Sequence, residues 1–272
     1  MKISEPSIRW RDGLAGPAER TLADEVQVAI VVNGTTVAVL LATPDDLGDF
    51  ATGFALSEGL VATAAATGPV EIVAHDDGIE ARLSVADTAT LAARRRTITG
   101  PSGCGLCGIE SLAAAIVAPR LVTAAGPRPT PGEIVAAMAA LGEAQPLGRA
   151  TRAVHGAALW RRSSPLVVRE DVGRHNALDK LIGAVALAGA PTADAMLLLT
   201  SRISVEMVQK AAVLGCPVVV AVSAPTRLAV ATAAACGLTL VAVARADGFE
   251  VFAWPERVAW DADARGGSGV AV

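Results

Sequence analysis

"AMLLLTSRISVEMVQKAAVLGCPVVVAVS", residues 195–223, decides the fold. AMLLLT (195–200) and PVVVAVS (217–223) are continuous apolar runs, without the alternation of a strand that shows one face to water. Between them, VEMVQKAAVLG carries apolar residues at helical spacing and stops at Gly215. Strands buried on both faces and separated by a helix are the signature of a parallel sheet. The pattern continues with a helix in TRLAVATAAACG (226–237) and a strand in LTLVAVA (238–244). Upstream come a helix opened by Thr130-Pro131, a hairpin (GAALWR, 156–161, then PLVVRE, 165–170) and a helix beginning near Gly173. The order α-β-β-α-β-α-β predicts a three-layer α/β sandwich over residues 131–272.

The first 98 residues have a different texture. VQVAIVVNGTTVAVLLA (26–42) reads as two strands turning at Asn33-Gly34, a strong short hairpin signal. Thr43-Pro44-Asp45-Asp46 supplies an N-cap, a proline at the first helical position and acids in the first turn of a helix running to about Glu58 and ended by Gly59. A second hairpin, VEIVAH and IEARLSV, turns around Asp76-Asp77-Gly78. Residues 1–98 are therefore expected to form a small α+β unit. Residues 99–130 hold a glycine-rich loop, a helix from Ile109 to Val117 and the linker AAGPRPTPGE (124–133). No internal repeat is visible, and the tail ADARGGSGVAV (262–272) is expected to fray.

A chain of 272 residues that is 52% hydrophobic and 18% charged is a compact globular protein, not a disordered one. Its net charge of −4 lacks the basic surplus of a general nucleic-acid binder. The local cluster Arg94-Arg95-Arg96 reads best as a solvated strand end or turn. No apolar stretch approaches the ~18 residues a membrane helix needs, and MKISEPSIRWRDG lacks the apolar core of a secretory signal. Four scattered cysteines fit a reducing cytoplasm better than a disulfide scaffold.

Two of those cysteines, Cys104 and Cys107, sit in "TGPSGCGLCG" (99–108), where four of ten residues are glycine. A structural zinc site wants four ligands. Cys216 and Cys236 stand singly, and His75, His155 and His175 are far apart in sequence, so no structural metal is expected. A redox dithiol is a second reading, because a following helix would favour a thiolate at Cys107. Yet glycine beside both cysteines suits a backbone that must reach into another site. Delivery of something held on a mobile thiolate is the best reading.

Two further groups could carry chemistry. In REDVGRHNALDKLIG (169–183), Asp171, His175 and Asp179 stand at i, i+4, i+8, beside a buried stripe of Leu178, Leu181, Ile182 and Val185. Either the carboxylates support a charged histidine that works as acid or clamp, or the three form a solvent-facing ladder. At the predicted sheet's carboxyl edge, Ser201-Arg202, Ser223-Ala224-Pro225-Thr226 and Arg245 follow three successive strands. Open parallel sheets bind ligands at that edge. Helix N-termini with arginines and hydroxyls suit a phosphorylated one.

The C-G-x-C-G loop, EDVGRHNALDKLIG, SRISVEMVQKAA, SAPTRLAV, GLTLVAVAR and DLGDFATGFALSEGL together resemble the formate dehydrogenase accessory sulfurtransferase family (FdhD), from about residue 25 to 255. The resemblance implies a cytidine-deaminase-like fold and a sulfur carrier. Such a carrier takes persulfide sulfur from a cysteine desulfurase and passes it to the molybdenum (or tungsten) bis-guanine-dinucleotide cofactor before that cofactor enters formate dehydrogenase. It places the persulfide on Cys104, with Cys107 assisting. It places cofactor contacts on Val243, Ala244, Arg245, Ala246, Asp247 and Gly248. With these, Arg202, His175, Ser223 and Thr226 complete the expected binding set. The family also suggests a homodimer. Arg152-Ala153-Val154-His155, SRIS and Val243 depart from its pattern: glycines are usual before the histidine and the arginine, and an aromatic at 243. Deaminase chemistry is not implied, because neither H-x-E nor P-C-x-x-C is present. A non-catalytic cofactor chaperone and a dithiol oxidoreductase are the alternatives.

Overall fold

The computed structural model describes residues 2–86, 120–123 and 125–260. The Arg94-Arg95-Arg96 cluster, the cysteine loop, the expected helix from Ile109 and the C-terminal tail lie outside them. The chain is mixed α/β with several sheets, and it divides into two compact units that do not follow chain order. One gathers residues 1–118, 143–159 and 166–190; the other gathers 119–142, 160–165 and 191–272.

The first unit opens with an element the sequence pattern did not reveal. β1 (Lys2–Arg11) and β2 (Leu14–Ala23) form an antiparallel hairpin. Its turn, Asp12-Gly13, has φ of 52° and 85°, the paired left-handed conformation of a tight hairpin turn that Asp-Gly tolerates. β3 (Val26–Val32) and β4 (Thr35–Ala42) then pair around Asn33-Gly34 as expected, and β5 (Glu71–His75) pairs with β6 (Gly78–Leu83). Parallel pairing of β3 with β6 makes a four-stranded sheet ordered β4-β3-β6-β5. Val28, Ile30, Ala81 and Leu83 from the sheet pack with Phe50, Ala51 and Ala55 of α1 (Leu47–Ser57).

α1 begins three residues later than a cap at Thr43 predicts, because Thr43 is used elsewhere. Its N–H and hydroxyl both reach Asp171 Oδ2, at 3.0 and 2.9 Å. Asp171 ends β8 (Val167–Asp171), the partner of β7 (His155–Trp160). Its other oxygen accepts from Gly173 N–H at 2.8 Å and Asn176 Nδ2 at 3.0 Å. Lys180, on α4 (Arg174–Leu187), completes the cluster 2.7 Å from the same carboxylate, and both side chains are fully buried. Such a pair is tolerable in the interior only because every polar atom has a partner. α4 also crosses α1 at closest approach where Gly53 meets Gly183: a β-carbon at either would run into the facing helix's backbone, at Asp179 or Asp49. The short α3 (Pro146–Thr151) lies against β2.

In the second unit α2 (Pro131–Glu143) opens on a reciprocal cap. Thr130 N–H donates to Glu133 Oε2 at 2.9 Å, and Glu133 N–H donates to Thr130 Oγ1 at 3.2 Å. β9 (Met196–Leu199), β10 (Val218–Ala221) and β11 (Thr239–Arg245) are parallel and, apart from the end of β11, buried, as their unbroken apolar runs demand. α5 (Val205–Leu214) and α6 (Arg227–Cys236) alternate with them. β12 (Gly248–Ala253), not anticipated from sequence, turns back antiparallel on β11.

Candidate functional site

The carboxyl ends of β9, β10 and β11 stay paired after the strands themselves stop. Val222 N–H donates to Leu199 O at 3.0 Å, and Thr226 N–H donates to Ile203 O at 2.9 Å beside an Ile203–Pro225 bridge. Val243 N–H approaches Ser223 O at 3.5 Å. Thus the segments carrying Arg202, Ser223, Thr226 and Val243 lie side by side, as the topology of a parallel sheet requires. Arg202, Thr226, Arg245, Ala246 and Asp247 are exposed, Ser223, Val243 and Gly248 are half-buried, and Ala244 is buried.

The two helices leaving this edge start differently. Thr226 caps α6 by accepting from Ala229 N–H at 3.2 Å. Ser204 caps α5 only in position: its hydroxyl makes no cap bond, and its Oγ is buried without a hydrogen-bond partner. One carboxylate oxygen of Glu206 is in the same condition. Buried polar atoms left unmatched are uncommon and mark places where something else can bond. The Ser-x-Glu spacing after a strand was the available sequence signal for both.

Val243 has φ of 52°, and the β11–β12 register shifts between Ala242 and Arg245. A β-branched residue in left-handed conformation is a genuine outlier, costing roughly 1–3 kcal/mol. The bulge interrupts the pairing immediately before Arg245, and bulges re-aim the residues that follow. Strain sits at the first residue of the segment singled out from sequence.

His175 belongs to the other unit, as the second residue of α4, and is half-buried. The i, i+4, i+8 ladder does not form. Asp171 is not helical at all but the last residue of β8, saturated by Thr43, Gly173, Asn176 and Lys180. Asp179 is buried and accepts from the Ser57 hydroxyl at 2.6 Å. Both carboxylates are buried and hold the unit together, so the solvent-facing reading fails.

His155, which pairs with Asp171 across β7–β8, is a group the spacing arguments passed over. Burial lowers its pKa, the Arg174 charge lowers it further, and Asp171 opposes both. It is therefore neutral at pH 7, the form in which one ring nitrogen accepts. A folded pKa below the unfolded value of about 6.5 means that the unfolded chain binds more protons below that pH. This stabilising contribution is complete above pH ~6.5 and is lost as pH falls from there through the lowered folded value. Urea midpoints should drop between pH 7.5 and 5.5 in the wild type and drop less in His155→Gln. Equal drops in the two proteins would remove His155 as the cause.

Cys104 and Cys107 lie outside the described residues. The other two thiols are buried. Burial pushes Cys216 up to about 12 and raises Cys236 as well, so neither is a thiolate at neutral pH. Cys216 donates to Ala195 O at 3.1 Å. Among the described residues no three metal-ligating side chains converge, and no helix is long and apolar enough to cross a membrane.

Residues 23–259 match the model of the FdhD/NarQ family. A protein of Agrobacterium fabrum named Sulfur carrier protein FdhD is 47% identical over 251 residues, covering 91% of this chain and 93% of that one. A Cupriavidus necator protein of the same name is 46% identical over 258 residues, covering 93% and 89%. Among solved structures, a Desulfotalea psychrophila protein assigned as a formate dehydrogenase accessory protein superposes with a TM-score of 0.74. It is 28% identical, with 94% of this chain and 99% of that chain covered.

Proposed function

This chain belongs to the FdhD/NarQ family, and from that premise we propose that it is a cytoplasmic sulfurtransferase serving formate dehydrogenase. Cys104 thiolate attacks the outer sulfur of a cysteine desulfurase persulfide. An S–S bond forms on Cys104, the donor's S–S bond breaks, and the donor leaves as a thiolate, with no net redox change. The acceptor is the molybdenum (or tungsten) bis-guanine-dinucleotide cofactor, bound as substrate at the strand-end edge. Cys107 thiolate then attacks Cys104 Sγ, closing a disulfide and expelling the outer sulfur as hydrosulfide. The dithiol supplies the two electrons, and a cellular thiol reductant reopens the disulfide.

The observation that supports this reading most directly is the set of three strand ends held side by side. They present Arg202, Ser223, Thr226 and Arg245 around a strained bulge and two helix N-termini. Helix N-termini and guanidinium groups are what a pyrophosphate needs. The curated relatives' shared name adds the sulfur.

GDP, a fragment of the cofactor, is the probe. Charge-assisted bonds to phosphate are worth about 1.5–3 kcal/mol, or roughly ten- to a hundredfold in affinity. Arg245 is exposed, so solvent screening puts Arg245→Ala near the tenfold end. Calorimetry should show that loss shrinking as salt rises, with persulfide loading of Cys104 intact. GDP affinity unchanged in both Arg245→Ala and Arg202→Ala would place the cofactor elsewhere.

A further inference from the structure

Two polar oxygens at the start of α5 are left without partners. Ser204 stands at the N-cap with the extended backbone of a cap, φ −101° and ψ 173°, yet its hydroxyl makes no cap bond. A serine there ordinarily accepts from the second or third helical N–H. Two residues on, Glu206 places an acid in the same first turn, where open N–H groups and the helix dipole would hold it. One of its carboxylate oxygens is instead buried and unmatched, as is Ser204 Oγ. The neighbouring helix start follows the ordinary rule, with Thr226 accepting from Ala229 N–H. A desolvated oxygen without a donor destabilises the chain that carries it. Two of them at one helix start mark a place for a donor from outside the chain.

Their position says what that donor belongs to. Ser204 follows Ile203, whose carbonyl accepts from Thr226 N–H at 2.9 Å. Arg202 and Glu206 stand two residues to either side of Ser204. Both unmatched atoms are therefore carried where the strand-end edge meets α5, in the same unit as Arg245. Ser204 and Glu206 are each half-buried, so each residue reaches the surface of the edge while one of its oxygens lies beneath it.

Phosphate is the wrong partner for a carboxylate, which repels it and can only accept. The phosphates belong with the arginines. A carboxylate selects adjacent N–H donors, and a hydroxyl nearby can donate to a carbonyl. Guanine presents that edge: its N1–H and 2-amino group side by side, then its O6 carbonyl. Adenine offers a lone pair at N1 and no carbonyl. A pterin ring carries the same 2-amino-oxo edge as guanine, and the proposed cofactor has both rings.

We propose that Glu206 and Ser204 read the 2-amino-oxo edge of a ring of the cofactor. Glu206 accepts from the ring N–H and the 2-amino group, and Ser204 donates to the ring carbonyl. This rests on the strand-end edge being the cofactor site, and it adds the residues that tell one ring from another. Calorimetry of the full chain with GDP, IDP and XDP tests it. IDP lacks the 2-amino group, and XDP replaces it with a carbonyl that a carboxylate repels. The wild type should bind GDP at least about tenfold more tightly than IDP, the loss of one charge-assisted bond, and XDP more weakly still. This comparison needs no variant to fold. Glu206→Gln turns an acceptor into a donor at constant size, so the preference for GDP over XDP should fall at least about a hundredfold. A merely structural glutamate would change both affinities alike. Ser204→Ala should weaken all three diphosphates equally, roughly fivefold, because each keeps the O6 carbonyl. Neopterin, with the same edge and no phosphate, separates the two rings. If GDP and IDP bind alike while Glu206→Gln abolishes neopterin binding, the pterin is the ring that is read. Equal binding of GDP, IDP and XDP, with neopterin unbound or indifferent to Glu206→Gln, overturns the assignment. If Arg245→Ala and Arg202→Ala also leave GDP affinity unchanged, the placement of the cofactor at this edge falls with it; if they weaken GDP, only the assignment to Glu206 and Ser204 falls.

Discussion

Cys104→Ser should yield a protein that folds normally and supports no active formate dehydrogenase. The reason is chemical. A serine hydroxyl neither ionises near neutral pH nor forms a persulfide, whereas the whole proposed reaction passes through a sulfur–sulfur bond on Cys104. Substitute carriers are absent among the described cysteines, since Cys216 and Cys236 are buried thiols with raised pKa values. Incubated with a cysteine desulfurase and cysteine, the wild type should gain about 32 Da, one sulfur, reversed by a thiol reductant. The variant should gain nothing. Cys107→Ser should still load but release sulfur slowly, because its thiolate is what expels the hydrosulfide. Active enzyme formed with Cys104→Ser would sink the relay. Wild-type protein that binds GDP and activates the enzyme without ever carrying sulfur would instead make it a cofactor chaperone.

Gly53→Ala should be among the most damaging single-methyl additions available in this chain. The added carbon would meet the backbone carbonyl of Asp179 on α4, and a side chain cannot rotate away to relieve a clash with main chain. Overpacking against side chains costs typically about 1–3 kcal/mol. Here two helices must separate, and α1 carries Phe50, Ala51 and Ala55 into the core of its unit. A loss above about 4 kcal/mol is expected, a large share of the roughly 5–15 kcal/mol that holds a typical domain together. Gly48, in the same helix, has nothing within 4 Å of where an added methyl would sit. There the identical change should stabilise by about 0.5–1 kcal/mol through helix propensity. Denaturant midpoints of the pair decide the matter, and a Gly53→Ala protein within ~1 kcal/mol of wild type would mean that the helices do not approach this closely.

The partly legible site shows where sequence reasoning reached its limit. That β9, β10 and β11 are parallel, with Arg202, Ser223 and Arg245 at or beyond their ends, followed from unbroken apolar runs alternating with helices. The left-handed Val243 and the bulge before Arg245 did not. Nothing local asks valine for that conformation. It is imposed where β11 turns into β12 while its own end is still held against β10.

What the sequence determined by itself is whatever a few neighbouring residues decide. The turn at Asn33-Gly34, the Thr130 cap and the apolar periods all belong here, because their energies are settled within one or two turns of chain. The tertiary structure decided the fate of Thr43, Asp171 and Asp179. Thr43 reads as a helix cap, yet a carboxylate 128 residues away takes its N–H and hydroxyl, since a buried Asp171–Lys180 pair must have every polar atom matched. Asp171 and Asp179 read either as supports for His175 or as members of an exposed ladder, because helical spacing gives an angle around an axis and not the neighbour that will cover it. For Asp179 the neighbour was α1, through Ser57, and the close fit of the two helices depends on two glycines far apart in the chain, Gly53 and Gly183.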